Sequence, residues 1–182
     1  MDFFKKPVVA IILAVIACSA VLVFNTRSKL GAEISAVEDS FYTSVEGQRS
    51  IYSRLQEKLQ ASNGIWTVLN KYDEEAAEEL SYEREYLIWA MDDASISSMS
   101  YANADLDTAV REAMKKLDSY ELKDDEVALV DEYKQTYNGA SKMIAENSYN
   151  TDVLEFMRST YNTFPTSEIA EFAGVYPPAT FN

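Results

Sequence analysis

From Pro7 to Phe24 the chain reads PVVAIILAVIACSAVLVF, a run with no charged residue. As a helix it spans roughly 27 Å, about the hydrocarbon thickness of a bilayer. Pro7 suits a first helical turn, where its missing N–H is no loss. The pattern predicts a single transmembrane anchor over residues 1–25, its ends marked by Pro7 and Phe24. Two other readings compete. Val15-Ile16-Ala17-Cys18, with Lys5 and Lys6 upstream, has the form of a bacterial lipobox. A lipoprotein tether is polar after its cysteine, however, and Ser19–Phe24 stays mostly apolar. A cleaved signal would need a polar region before a small-residue site, which is lacking. Cys18 is therefore read first as a small lipid-facing or packed residue, with lipidation there as the alternative. Lys5 and Lys6 before the run are balanced by Arg27 and Lys29 after it. The adjacent lysines lean toward a cytoplasmic N-terminus with the rest of the chain outside.

Beyond the anchor the apolar positions recur at helical spacing, and no alternating strand pattern occurs. Leu30, Ile34, Val37 and Phe41, then Tyr52, Leu55 and Leu59, predict a helix continuing out of the membrane segment. Ser62-Asn63-Gly64 reads as a turn. Ile65, Leu69, Tyr72, Ala76, Leu80, Leu87 and Met91 mark a second helix that fades in the polar run Ser95–Ser100. A short third helix carries Leu106, Val110, Met114 and Leu117, with Asp124 or Asp125 predicted to cap the next. The fourth runs from about 126 to 163, with a stripe that drifts and turns polar near Asn147–Asn150. No proline falls between residues 8 and 164, which permits long helices. Long helices joined by short turns pack as antiparallel neighbours. The expected fold is all-α: an N-terminal transmembrane helix, then an elongated antiparallel bundle over residues 26–182.

Composition narrows the function. The net charge is -14, and only Asp2, Lys5 and Lys6 are charged before residue 25. The remainder is therefore strongly acidic, repels phosphate backbones and argues against nucleic acid as a partner. The chain has no histidine, which removes Ser-His-Asp and Cys-His catalysis and most zinc sites. A single cysteine allows no intramolecular disulfide.

The end of the chain is sharply punctuated. Pro165 ends the long helix, Ser167 is positioned to cap a short one, and Gly174 to close it. Such a helix is too short to stand alone. It is expected to dock as a cap on the bundle, burying Ile169 and Phe172 within a capping tail over 165–182. Specific motifs lie here: Ser119-Tyr120-Glu121-Leu122-Lys123, Tyr149-Asn150, Tyr161-Asn162, Phe164-Pro165-Thr166-Ser167-Glu168-Ile169-Ala170 and Gly174-Val175-Tyr176-Pro177. Over residues 104–182 they resemble the LemA family of bacterial membrane-anchored helical proteins. Its pattern there is a Tyr-Pro-x-Leu-Lys turn, a Tyr-Asn pair, Phe-Pro-x-x-x-Ile-Ala and a Gly-Phe-x-Pro tail. Glu121 stands in place of the family's proline and Val175 in place of its aromatic, as in a divergent member. Residues 41–70 lack the family's arginine-rich Asp-Leu-Ile-Pro stretch. The resemblance implies a LemA-like bundle on a single-pass anchor in a bacterial cell membrane. It marks Tyr149, Asn150, Phe164, Pro165, Ile169, Ala170, Gly174 and Pro177 as motif residues, and carries no enzymatic activity.

No nucleotide loop or nucleophile elbow appears, so no catalytic, cofactor or metal residue is assigned. Glu75, Glu79 and Glu83 share a helix face and could chelate a hard cation, but repelling carboxylates at this spacing read first as a solvated face. The twelve tyrosines suit core rings with hydroxyls at the rim. The expected function is that of a scaffold or adaptor presenting an acidic helical bundle at the membrane. Its partners would be the lipid bilayer and another protein or itself, with no small-molecule substrate evident. An envelope sensory or ligand-binding bundle is the alternative.

Overall fold

In a computed structural model of the chain, residues 7–44, 47 and 49–181 are described, and every regular element among them is helical. Lys5 and Lys6 lie outside the described residues. The elements are α1 (Pro7–Tyr42), α2 (Ile51–Leu69), α3 (Glu74–Asp92), α4 (Ile96–Leu117), α5 (Asp124–Ala145), α6 (Tyr149–Phe156), a π-helical turn (Met157–Tyr161) and α7 (Thr166–Ala173). They divide into two compact units: Met1–Glu38 with Thr151–Pro178, and Asp39–Asn150 with Ala179–Asn182.

In the first unit, α1 is the one helix among the described residues long and apolar enough to cross a membrane. Its apolar side chains from Val8 to Phe24 are largely exposed, and Pro7 lies in its first turn. As expected, it passes residue 25 without a break. Burial begins at Leu30 and Ile34, which form a small core with Phe156 and Ala170. Val37, Tyr161 and Val175 pack against that core. The turn at Met157–Tyr161 closes with the Asn162 N–H donating to Met157 O at 2.9 Å, one residue wider than an α-helical bond. Gly174 ends α7 with a left-handed φ of 63°. There the Val175 N–H reaches Ala170 O at 2.9 Å and the Gly174 N–H reaches Glu171 O at 3.2 Å, the paired bonds of a Schellman cap.

Two expectations for this segment are corrected. Ser167 does not cap α7: Pro165 takes that position, and the Ser167 hydroxyl donates to the neighbouring Glu168 carboxylate instead. Nor are Ile169 and Phe172 the docking residues. Ala170 is the buried one, Ile169 is half-buried, and Phe172 is 82% exposed. An eight-residue helix has about two turns and can bury only a narrow stripe, here centred one position away.

In the second unit, side-chain pairings fix the directions of four helices. Lys58 of α2 and Lys71, two residues past its end, meet Tyr137 and Glu126 of α5, so these two helices run antiparallel. Arg84 of α3 bonds Ser62 and Asn63 of α2, while Lys58 bonds Asn103 and Asp107 of α4. The result is an up-down-up-down bundle. Backbone packing is closest between α2 and α5 and between α3 and α4. The core takes Leu55, Ile65 and Leu69 from α2, Leu80 and Leu87 from α3, Met99, Leu106 and Leu117 from α4, and Val130 and Tyr137 from α5.

Helix boundaries differ from those predicted, for local reasons. Ser50, Asp73 and Ser95 each accept a backbone N–H from three residues ahead, which starts α2, α3 and α4. The polar run Ser95–Ser100 is thus a cap and a first turn rather than a fading end. α5 starts after Lys123, not at an aspartate cap, because the Glu126 carboxylate reaches back to the Lys123 N–H at 3.4 Å. The predicted helix over 126–163 is broken at residues 146–148.

The predicted turn at Ser62-Asn63-Gly64 is wrong. These residues lie inside α2, and the turn falls at 70–73. Gly64 instead lets α2 approach α5: a Cβ there would lie 2.3–2.4 Å from carbons of the Tyr133 ring, well inside van der Waals contact. Gly64→Ala is expected to lower stability by about 1–3 kcal/mol through overpacking, despite the roughly 1 kcal/mol alanine normally gains in a helix. In a Tyr133→Ala background, where the ring is gone, the same change should become neutral or stabilising in denaturant unfolding.

One end of the bundle is tied by a polar clamp. Glu126, nearly fully buried, accepts Lys71 Nζ at 2.8 Å and the Tyr72 hydroxyl. Asp73 accepts the Tyr120 hydroxyl at 3.0 Å, and the Tyr72 and Tyr120 rings stack at 5.7 Å. The Lys71 and Tyr72 hydrogen bonds hold the Glu126 carboxyl at about 2, below its ordinary 4.5. Asp73 is lowered too, chiefly by the Ala76 N–H and then by Tyr120. A depressed carboxyl stabilises the fold above its unfolded value and loses that effect as pH falls through its folded one. Thermal melts should therefore show stability falling between pH 4.5 and about 2. Glu126→Gln should flatten that fall and lower stability near neutral pH.

Candidate functional site

The centre of the second unit holds a charge on an apolar stripe. Leu55, Lys58, Ser62, Ile65 and Leu69 recur at 3-4 spacing on α2, and all are buried. The same spacing on α4 brings Met99, Asn103, Leu106 and Val110 inward. Lys58 Nζ donates to Asp107 Oδ1 at 2.7 Å and to Asn103 Oδ1, and lies 4.8 Å from the centre of the Tyr137 ring. The Tyr137 hydroxyl donates to the same Asp107 oxygen at 2.8 Å. Burial lowers the Lys58 pKa, against the opposing pull of Asp107. Burial also pushes the Tyr137 phenol well above its usual range, with Asp107 adding to the shift, so it stays a donor. The Lys58 side chain is 1% exposed and already engaged. It has no room to act on a substrate, and its role is to hold three helices at one level.

Asp107 links this network to the surface, its side chain being 36% exposed. It opens onto a cleft of about 560 Å³ between α4 and α5. Ile65, Val110 and Met114 supply its apolar lining, and the Tyr137 ring adjoins them. Arg111 and Lys115 line it from α4, and Lys134, Asn138 and Ser141 from α5. Lys115 is paired with Glu112, but Arg111 and Lys134 make no salt bridge among the described residues. The buried Ser141 Oγ has no hydrogen-bond partner there either.

A second surface lies on α3. Tyr82, Tyr86 and Trp89 follow one another at i, i+4 and i+7 and so share a face. Tyr82 is 69% and Trp89 56% exposed, and Trp89 stacks on Tyr86 with ring centres 5.9 Å apart. Glu75, Glu78, Glu79 and Glu85 are exposed on the turns flanking them. Glu79 and Glu83 also line a groove toward α4 with Asp105. Burial, then Asp105, raises the Glu83 carboxyl. Among the described residues no acidic cluster has the arrangement of a metal site.

The motif residues fall into separate roles. Tyr149 is buried with Phe41 and Phe181, ring centres 5.4 Å from Phe41 in both cases, and its hydroxyl donates to Ala179 O at 2.6 Å. The Asn150 amide bonds both backbone groups of Phe181, accepting its N–H at 2.8 Å and donating to its carbonyl. This pair therefore clasps the chain end within the second unit. In the first unit, Ala170 and Gly174 build the buried stripe and close of α7, with Ile169 half-buried beside them. Phe164 is largely exposed, joined to Pro165 by a cis bond, and Pro177 is half-buried. Cys18 is exposed in mid-α1. Lys58, Asn103, Asp107 and Arg111 escaped sequence reasoning. The one available signal was a lysine and an asparagine on stripes that are mostly apolar.

No protein-family model, curated protein or solved structure matches this chain.

The Lys58 network generates an asymmetric prediction. Asp107→Leu leaves an uncompensated buried ammonium and should cost about 3–5 kcal/mol. Lys58→Met leaves an aspartate that can turn to water and should cost clearly less. The double variant should recover much of the Asp107→Leu loss, a coupling read from a denaturant-unfolding cycle.

Proposed function

We propose that this chain is a membrane-anchored, non-catalytic adaptor whose bundle unit offers the α3 face to a protein partner bearing cationic side chains. The observation that carries the reading is the row Tyr82, Tyr86 and Trp89 among glutamates, its two end rings exposed and Tyr86 half-buried between them. Tyrosine and tryptophan are the residues that concentrate binding energy at interfaces. Their ring faces attract Lys and Arg, and the flanking carboxylates add long-range attraction. The length and apolar character of α1 support the anchor. The motifs shared with the LemA pattern support a single-pass protein of a bacterial membrane, and the adjacent Lys5 and Lys6 favour a cytoplasmic N-terminus with the bundle outside.

A photocrosslinker placed at Tyr86 of the full chain, in carbonate-washed native membranes, tests this. It should yield a discrete protein adduct that weakens with added salt. Tyr82→Ser/Trp89→Ser should abolish the adduct and leave the melting temperature nearly unchanged, since both side chains are exposed. An adduct of equal yield in the double variant, or one insensitive to salt, would refute the reading.

A further inference from the structure

We infer that the cleft between α4 and α5 is a binding site for a small organic carboxylate with an apolar body. The site is distinct from the α3 face, which contributes no residue to it.

The cleft stands out by its charge. Acidic residues outnumber basic ones by 30 to 16 in this chain. Most cations of the bundle unit find an acidic partner: Lys58, Lys71, Lys115 and Lys116 are each in a salt bridge. Arg111 and Lys134 are in none among the described residues, and both line this one cleft. On the lining Arg111, Lys115 and Lys134 outnumber Asp107 and Asp118, and Asp107 is already bonded to Lys58, which leaves a modestly positive cleft in a negative molecule. Such a cleft concentrates an anion.

The remaining lining sets the kind of anion. Ile65, Val110 and Met114 offer an apolar surface for a non-polar body, beside the Tyr137 ring. Asn138 adds an exposed side-chain amide to the same lining. A cleft of about 560 Å³ falls in the range of small-molecule sites, which are mostly apolar with a few placed polar groups. Asp107 and Asp118 lie on the same lining. They would oppose a doubly charged phosphate more strongly than a singly charged carboxylate, which Arg111 can meet in a bidentate fork.

Fluorine NMR of the full chain in nanodiscs, with 4-fluorobenzoate as the probe, tests the assignment. Saturable line broadening at millimolar probe or below is expected. The neutral 4-fluorobenzyl alcohol should bind at least about tenfold more weakly, the size of one lost hydrogen bond to a charged group. Arg111→Gln/Lys134→Gln should weaken the benzoate about tenfold or more by the same measure, with an unchanged melting temperature because both side chains are exposed. Inorganic phosphate should not compete at equal concentration. Absence of saturable binding would overturn the inference, as would equal binding of the alcohol or full binding by the double variant. Displacement by phosphate would overturn the carboxylate assignment.

Discussion

A lysine ammonium enclosed by helices constrains the bundle unit more than any single apolar contact. An apolar core tolerates sliding, because one leucine packs on another at several registers. A buried charge does not, because each lost partner leaves an unsatisfied group in a low-dielectric interior. Lys58 requires Asn103 and Asp107 from α4 and the Tyr137 ring from α5 at one level. Once α2, α4 and α5 are so fixed, Gly64 faces the Tyr133 ring, and Glu126 meets Lys71 and Tyr72 at the end of the bundle. The polar clamp and the tight helix approach both follow from that register.

The same constraint explains why a cleft exists. α2 lies close to α5, made possible by Gly64, and also reaches α4 with Lys58. Between α4 and α5 the central polar contact runs through Asp107 and Tyr137, two side chains that span a gap. Beyond them the walls separate, lined by Arg111 and Lys134. The core network is thus the inner boundary of the cleft, and its exposed member, Asp107, belongs to both.

The two ends of the chain's last third do different work. Tyr149 and Asn150 hold the terminal segment by hydrogen bonds to its backbone, a mode of capture indifferent to the side chains of residues 179 and 181 except for the packed Phe181 ring. Residues 166–175 instead form a short helix closed by a left-handed glycine, and Ala170 and Val175 complete a small core with Leu30 and Ile34. The small side chain of Ala170 permits close approach. The larger neighbours Phe164 and Phe172 remain on the outside.

Helical class, the long apolar N-terminal helix and the glycine-closed helix near the end were legible from residue order, because spacing, charge and φ preference are local properties. Helix starts at Ser50, Asp73 and Ser95 were open to the same reasoning but were hidden by weak contrast with their polar surroundings. Gly64 was beyond it. Asn-Gly favours a turn when only neighbours in sequence compete, and here the approach of Tyr133, sixty-nine positions away, gives the glycine a different use. Lys58 and Asp107 were hidden for the same reason: a charge on an apolar stripe reads as an exception until its partners are known, and those partners come from two other helices. Whether Tyr82, Trp89 and Arg111 face water or the core was likewise settled by which stripes the neighbouring helices covered. The sequence alone determined the helical class and the placing of the apolar N-terminal helix and the glycine-closed helix, since those depend on residues within a few positions. Only the tertiary structure decided which side chains meet and which are left over, since that depends on helices brought together from far apart in the chain.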